Sequence, residues 1–355
     1  MKTEKNTDSG EIKKVWEMMT VIPKEISVVS SKAVVPIITK SLEEQLNKLA
    51  KRESLFLPNL HTHNETVAVF SDYGGEATTS RYNVFSFLIC AFNGLAAFRD
   101  AQSQLREEHK LNTPAKEFSF KTLDYGPIER SLSGYIRNIS NLVPGVLISV
   151  VIEKGNLSLW GSDKKKAQLE MVEILKDAEL GDWKPEPAEK LITVIHLVSY
   201  FIAILAKDGQ KIFWQSDEDA IMANDEKMAQ AGRLFARVLG LYTTKKFPIL
   251  GYAKSFGKDS TLLLDLLSVP DLVAGSIEHY LTRKDNLAEL TIKDGANKIL
   301  VWHGYQGLAL KKYAFIFRPG EKGGIMAGTL NFDVIKPLPD LEFVDINLPA
   351  RNVGN

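Results

Sequence analysis

Asp72, Asp217 and Asp271 are the residues of this chain whose types and settings point to chemistry. Asp72 follows the apolar run Thr66 to Phe70 and Ser71, and precedes Tyr73, Gly74, Gly75 and Glu76. Asp217 opens the cluster Asp217, Glu218 and Asp219 after the run KIFWQS, and Asp271 follows Pro270 in LLSVPDLVAGSIEHYL. Carboxylates distant in sequence that meet in space are what a hard divalent cation requires, since Mg²⁺ takes oxygen ligands and keeps several waters. Two such ions about 4 Å apart activate an attacking water and stabilise the leaving oxygen of a phosphodiester. The expected ligands of Mg²⁺ or Mn²⁺ are Asp72, Asp217, Asp219 and Asp271, with Glu76 as a further catalytic carboxylate. Lys121 is expected to contact phosphate or to offset the mutual repulsion of the acids. Each Asp also has a plainer reading, because Asp routinely closes strands and starts turns. Spacing alone does not bring the three together.

The elements that must position these residues are readable from pattern. TVAVF has the β-branched, bounded character of a buried strand, and Tyr82 to Phe92 follows at hairpin distance. Gly74 and Gly75 permit the tight turn between them. Leu95 to Lys110 reads as a helix, and EFSFKTL as a short strand carrying Glu117 and Lys121. Pro127 opens a helix with the stripe Ile128, Leu132, Tyr135 and Ile136, and Val146 to Lys154 is a further buried strand. A charged helix, Asp163 to Asp177, leads through GDWKPEP to the apolar run Leu191 to Ala206. That run is shorter than the roughly 20 residues that span a bilayer, and it reads as a core helix. Lys211 to Gln215 is a strand, Lys227 to Leu239 a helix, and Phe247 to Tyr252 a strand. Ser260 to Arg283 is a long helix that Pro270 should kink or restart. Ser41 to Arg52 is a helix with a capping box at Ser41 and Glu44. After residue 286, LAELTIKD, NKILVWHG, YAFIFRP and IMAGTLNFDVI read as strands. The expected organisation is an N-terminal extension (1–60), a core (61–285) with a helical insertion at about 160–207, and a mostly β appendage (286–355).

Composition bounds the function classes. The chain has 355 residues, 45% of them hydrophobic, and its 44 basic side chains balance 44 acidic ones. Zero net charge argues against a protein that coats nucleic acid through bulk electrostatics, although a local basic groove stays open. One cysteine, Cys90 in an apolar run, rules out a disulfide framework and a Cys-rich zinc site. The polar start MKTEKNTDSGEIKK shows no secretory signal, so a cytoplasmic protein with no membrane partner is expected.

TVAVFSDYGGE, EFSFKTL followed by Arg130 and a helix, VLISVVIEK, QKIFWQSDED and LLSVPDLVAGSIEHYL, in that order, resemble the domain-of-unknown-function family numbered 3800. The resemblance covers roughly residues 66 to 283 and implies an α/β, ribonuclease-H-like mixed sheet flanked by helices. That family's Asp-Glu-Ser-Gly motif is matched by Asp72, Tyr73, Gly74 and Gly75. Its Gln-x-Ala-Asp-x-x-Ala-Gly motif is matched by Ser268, Val269, Pro270, Asp271, Leu272, Val273, Ala274 and Gly275. The middle acidic element falls on Asp217 to Asp219, and the Glu/Lys element near Glu117 to Lys121. This chain departs from the pattern at Tyr73, where Glu76 would have to substitute, and at Ser268 and Pro270.

Two readings follow, a divalent-metal-dependent nuclease acting on nucleic acid, or a ribonuclease-H-like binding or regulatory module that does not cleave. A protein partner is expected at the N-terminal arm or the β tail. A nucleotide-binding enzyme finds little support, since no Gly-rich phosphate loop follows a strand. A serine hydrolase lacks its GxSxG elbow. His61, His63, His196 and His279 read as loop or core residues, and His303 as the end of a strand.

Overall fold

A computed structural model describes the chain except for residues 1–12, 30–34, 156–162, 218–219, 254–260, 286–291, 321–324 and 333–355. Among the described residues, a seven-stranded mixed sheet of order β7-β6-β3-β4-β5-β8-β9 divides two layers of helices. Its strands are β3 (Thr66–Gly74), β4 (Tyr82–Ala91), β5 (Gly145–Glu153), β6 (Lys211–Ser216), β7 (Leu250–Ala253), β8 (Leu310–Pro319) and β9 (Ile325–Thr329). Two short strands, β1 (Thr20–Val21) and β2 (Leu57–Pro58), pair separately, after the helical residues 13–19 (α1).

Strands β3, β4 and β5 form an antiparallel meander, with Val67 opposite Ala91 and Phe85 opposite Val150. β6 lies parallel to β3 on its other side, Thr66 facing Lys211, and β7 lies parallel to β6. The β3–β4 turn needs Gly75, which sits at φ +89° with a Cβ position only 1.8 Å from the Tyr82 carbonyl oxygen. An L side chain there meets both strain and a clash with backbone.

The period-2 alternation of the strands sorts their side chains into two cores. Val67, Val69, Phe85, Phe87, Val146, Ile148 and Trp214 face one layer. It holds α2 (Ile37–Lys51), α5 (Lys164–Asp177), α6 (Pro185–Leu205) and α7 (Asp225–Tyr242). Ala68, Phe70, Val84, Leu88, Leu147 and Val151 face the other layer. There lie α3 (Ala96–Glu108), α4 (Gly126–Leu142), α8 (Thr261–Asp285) and α9 (Asp294–Gly304). α6 is long and apolar enough to cross a membrane by length and composition, yet most of it is buried inside the fold. Helices α2, α5 and α7 pack around it, which accounts for an apolar surface on nearly every side.

Several elements differ from the sequence expectation. EFSFKTL is not a strand. Phe120–Thr122 form a 3₁₀ turn closed by a capping box between Ser119 and Thr122, a local bonding pattern that competes with strand pairing. NKILVWHG forms α9 and not a strand, because a short apolar run has no period that separates a buried strand from a buried helix. His303 accordingly sits buried on a helix. β8 and β9 continue the main sheet, so the C-terminal strands share the core of residues 61–285 instead of forming a β appendage. α2 starts at Ile37, directly after Pro36, so Ser41 and Glu44 lie inside the helix and cap nothing. Pro270 neither stops nor restarts α8, which runs unbroken from Thr261 to Asp285. The ring removes the bond that would reach the Leu266 carbonyl, a cost of about 3 kcal/mol. Burial of Leu266, Leu267, Val269, Leu272 and Val273 against the sheet offsets it.

Candidate acidic site

Asp72 occupies an even-numbered position on β3, so its carboxyl projects to the face that α8 covers, with Ala68 and Phe70. Asp271 comes to it from α8, whose Leu266, Val269 and Val273 anchor the helix on that face. The two carboxyl groups are hydrogen-bonded to each other. Two carboxylates cannot share such a bond unless one carries a proton, so the pair titrates as a unit. Burial first, and then the charges of Asp271 and Asp217, hold Asp72 well above the usual carboxylate range. Asp271 is raised as well, chiefly by burial, and its carboxylate accepts the Phe120 N–H at 2.9 Å. The Tyr73 N–H donates to Asp72 at 2.5 Å.

Asp217 follows the last residue of β6, parallel to β3, and its N–H donates to the Ser71 carbonyl at 3.2 Å. Its charge reaches Asp72, Asp271 and Glu117. Glu117 is the member that the sequence did not single out as a site residue. Its carboxyl is raised by desolvation and then by the charges of Asp271 and Asp217. Only its place four residues before Lys121 marked it beforehand. Lys121 draws both Asp271 and Glu117 back toward the charged form, so it stands beside the acids as expected.

Not every expected residue joins. Glu76 ion-pairs with Lys190 of α6 and is exposed. Asp219 lies outside the described residues. Tyr73, where the family pattern has an acid, is turned to the opposite face of the sheet by the strand's alternation. There its ring packs against Phe85 and Phe87, and its hydroxyl bonds to Ser71 and Ser216. The histidines are structural: His61 Nε2 meets the Leu205 carbonyl at 3.0 Å, and His196 Nδ1 the Tyr242 hydroxyl at 2.7 Å.

Two devices hold the acids in place. Arg106 of α3, fully buried, ion-pairs with the equally buried Asp265 of α8. It also donates to the Leu111 and Lys116 carbonyls at 3.2 and 3.0 Å, fixing the segment that delivers Glu117. The second is Gly275, where a Cβ would fall 2.4 Å from the Phe120 ring. Gly275→Ala should therefore push Phe120 and its Asp271-binding N–H out of place. Overpacking of this kind costs about 1–3 kcal/mol. Gly240→Ala on the exposed face of α7, with nothing within 4 Å, should instead gain about 0.5–1 kcal/mol. Urea denaturation of the two variants checks the opposite signs; equal effects would exclude the Phe120 contact as the cause.

Among the described residues, no three His, Cys, Asp or Glu side chains are arranged to hold a metal ion as they stand. The donor chemistry nevertheless fits a hard cation. Mg²⁺ is commonly held by one or two carboxylates and several waters, and the Asp72–Asp271 pair holds a proton where such a cation would sit. No family model matches the chain, and neither curated proteins nor solved structures provide a match.

Proposed function

We propose that the chain is a divalent-metal-dependent nuclease built on a ribonuclease-H-like core. The reading is carried by the buried Asp72–Asp271 pair, which keeps a proton between two carboxyl groups beside Asp217 and Glu117. The order of the central strands supports it, with one acid on the hairpin strand β3 and another just past the neighbouring parallel strand β6. Asp72 and Asp271 would hold Mg²⁺ or Mn²⁺, with Asp217 bearing on it from the end of β6. The cation would supply a water of lowered pKa and neutralise charge on the phosphate. Glu117 is placed to take up a proton, and Lys121 to bind a non-bridging phosphate oxygen. A cytoplasmic setting goes with this reading.

The altered acid position at Tyr73 and the lack of a ready three-acid ligand set favour a second reading, a binding module on the same core that does not cleave. Mn²⁺ titration by calorimetry and by thermal unfolding separates the two. The nuclease reading expects saturable Mn²⁺ binding that raises the unfolding temperature and is lost in Asp271→Asn. It also expects Mn²⁺-dependent cleavage of a labelled oligonucleotide. A chain that ignores Mn²⁺ in both titrations belongs to the second reading.

A further inference from the structure

On the face of β3 opposite Asp72, the strand ends over a cleft of about 540 Å³. Its floor is Tyr73 and Phe85, and its walls include Glu153, Lys154, Lys190 and Thr193. The volume matches a ligand of one or two nucleotide units. Its acids are engaged with cations: Glu153 with Arg81 and Arg318, and Glu76 with Lys190. The Lys190 ammonium lies 4.6 Å from the centre of the Tyr73 ring and is mostly covered, while its partner Glu76 is 62% exposed. Solvent therefore takes the Glu76 carboxylate back at little cost, whereas Lys190 stays where α6 holds it. The charge of Lys190 also reaches Asp72 around the end of the strand. A phosphate bound to Lys190 would thus lie next to the acidic site.

We propose that this cleft seats one nucleotide of a single nucleic-acid strand, with Lys190 exchanging Glu76 for the phosphate that neighbours the scissile one. The proposal rests on the nuclease reading for its substrate class. A single strand is specified because the base must enter a pocket floored by aromatic rings, which a paired and stacked base does not do without being extruded. A free mononucleotide shares this chemistry, and the test separates the two sources.

The experiment is fluorescence anisotropy of a labelled 12-nucleotide strand, as DNA and as RNA, with the full chain carrying Asp72→Asn to suppress cleavage. Lys190→Gln in that background should weaken binding roughly tenfold at low salt and lower the salt slope by about 0.7, the loss of one phosphate contact on a single strand. Glu76→Gln, a change at an exposed position that leaves the fold alone, should tighten binding by removing the competing carboxylate. A duplex of the same sequence should bind more weakly than the strand, and a mononucleotide should compete only at far higher concentration. Unchanged affinity in both Lys190→Gln and Glu76→Gln overturns the proposal, as does a mononucleotide that competes as well as the strand. Cleavage is not the readout. Lysine-dependent strand binding by a chain that cuts nothing would uphold the cleft and remove the nuclease reading alone.

Discussion

Asp72→Asn should unfold at a higher temperature than the unsubstituted chain at pH 8, and at the same time lose Mn²⁺-dependent cleavage by more than ~100-fold, beyond the 10–100-fold typical of groups that only support a metal ligand. The two effects have one cause. Both carboxyls of the Asp72–Asp271 pair are raised by burial and by neighbouring acids, and Asp271 is pushed up to about 6. At pH 8 the metal-free fold must therefore hold charges that the unfolded chain hydrates. Replacing one by a neutral amide of the same shape removes that repulsion, and each tenfold change in a carboxyl's proton affinity on folding corresponds to about 1.4 kcal/mol. The expected gain is on the order of 2 kcal/mol, a few degrees in Tm.

The pH dependence has a definite sign. A raised carboxyl binds more protons folded than unfolded between the unfolded value, 3.8 for Asp, and the folded one. The pair's contribution to stability is thus present at low pH and is lost as pH rises through about 6. The advantage of Asp72→Asn over the unsubstituted chain should shrink from pH 8 toward pH 5. Stabilisation by Mn²⁺ should run the other way and fade on acidification, because the cation competes with the proton for the pair. Thermal scans at pH 5, 6.5 and 8, with EDTA or Mn²⁺, measure all of this. A variant less stable than the unsubstituted chain at pH 8 in EDTA would mean that the acids are ordinary structural groups.

Asp265→Asn should cost about 3–5 kcal/mol in urea denaturation, the largest stability loss expected of any conservative change in this chain. Arg106 and Asp265 are each 1% exposed, so each is the other's replacement for water. The partners are not equivalent once separated. Arg106 cannot discard its charge, since a guanidinium stays protonated above pH 12, so losing Asp265 strands a cation in the core. Arg106→Met leaves an acid that can neutralise, and Asp265 already stands at about 6 with its partner present. The Arg106→Met penalty should therefore diminish between pH 7 and pH 5, whereas the Asp265→Asn penalty should not. The Leu111 and Lys116 carbonyls also lose their donor in Arg106→Met, so part of its cost should survive acidification. Because those carbonyls belong to the segment leading to Glu117, both variants should also weaken the Mn²⁺ response. A loss under about 1 kcal/mol in Asp265→Asn would show that water reaches the pair.

Much of the architecture is local and can be read from the chain. The β-branched alternation of Thr66 to Phe70 and of Val146 to Val151 marks strands buried on both faces, and both form. Pro127 and the stripe Ile128, Leu132, Tyr135 and Ile136 set α4, and α6 lies in the core as its apolar composition requires. The same alternation decides that Asp72 and Tyr73 face opposite ways. Asp72, Asp217 and Asp271 were identifiable as acids at the ends of strands or on the late helix.

What they touch was not identifiable. The Asp72–Asp271 bond depends on how α8 lies across β3, and the Arg106–Asp265 pair depends on α3 and α8 sharing a face. Lys190 had no local signal at all, being one lysine in the first turns of an apolar helix. Its place beside Tyr73 follows from α6 packing on the far side of the sheet. Glu76 paired with Lys190 and not with the acids because the Gly75 turn carries it past the strand end to the other face. Periods of 2 and 3.6 residues assign a side chain to a face of its own element. Which elements meet across that face is set by packing among residues a hundred or more positions apart, where no local period operates.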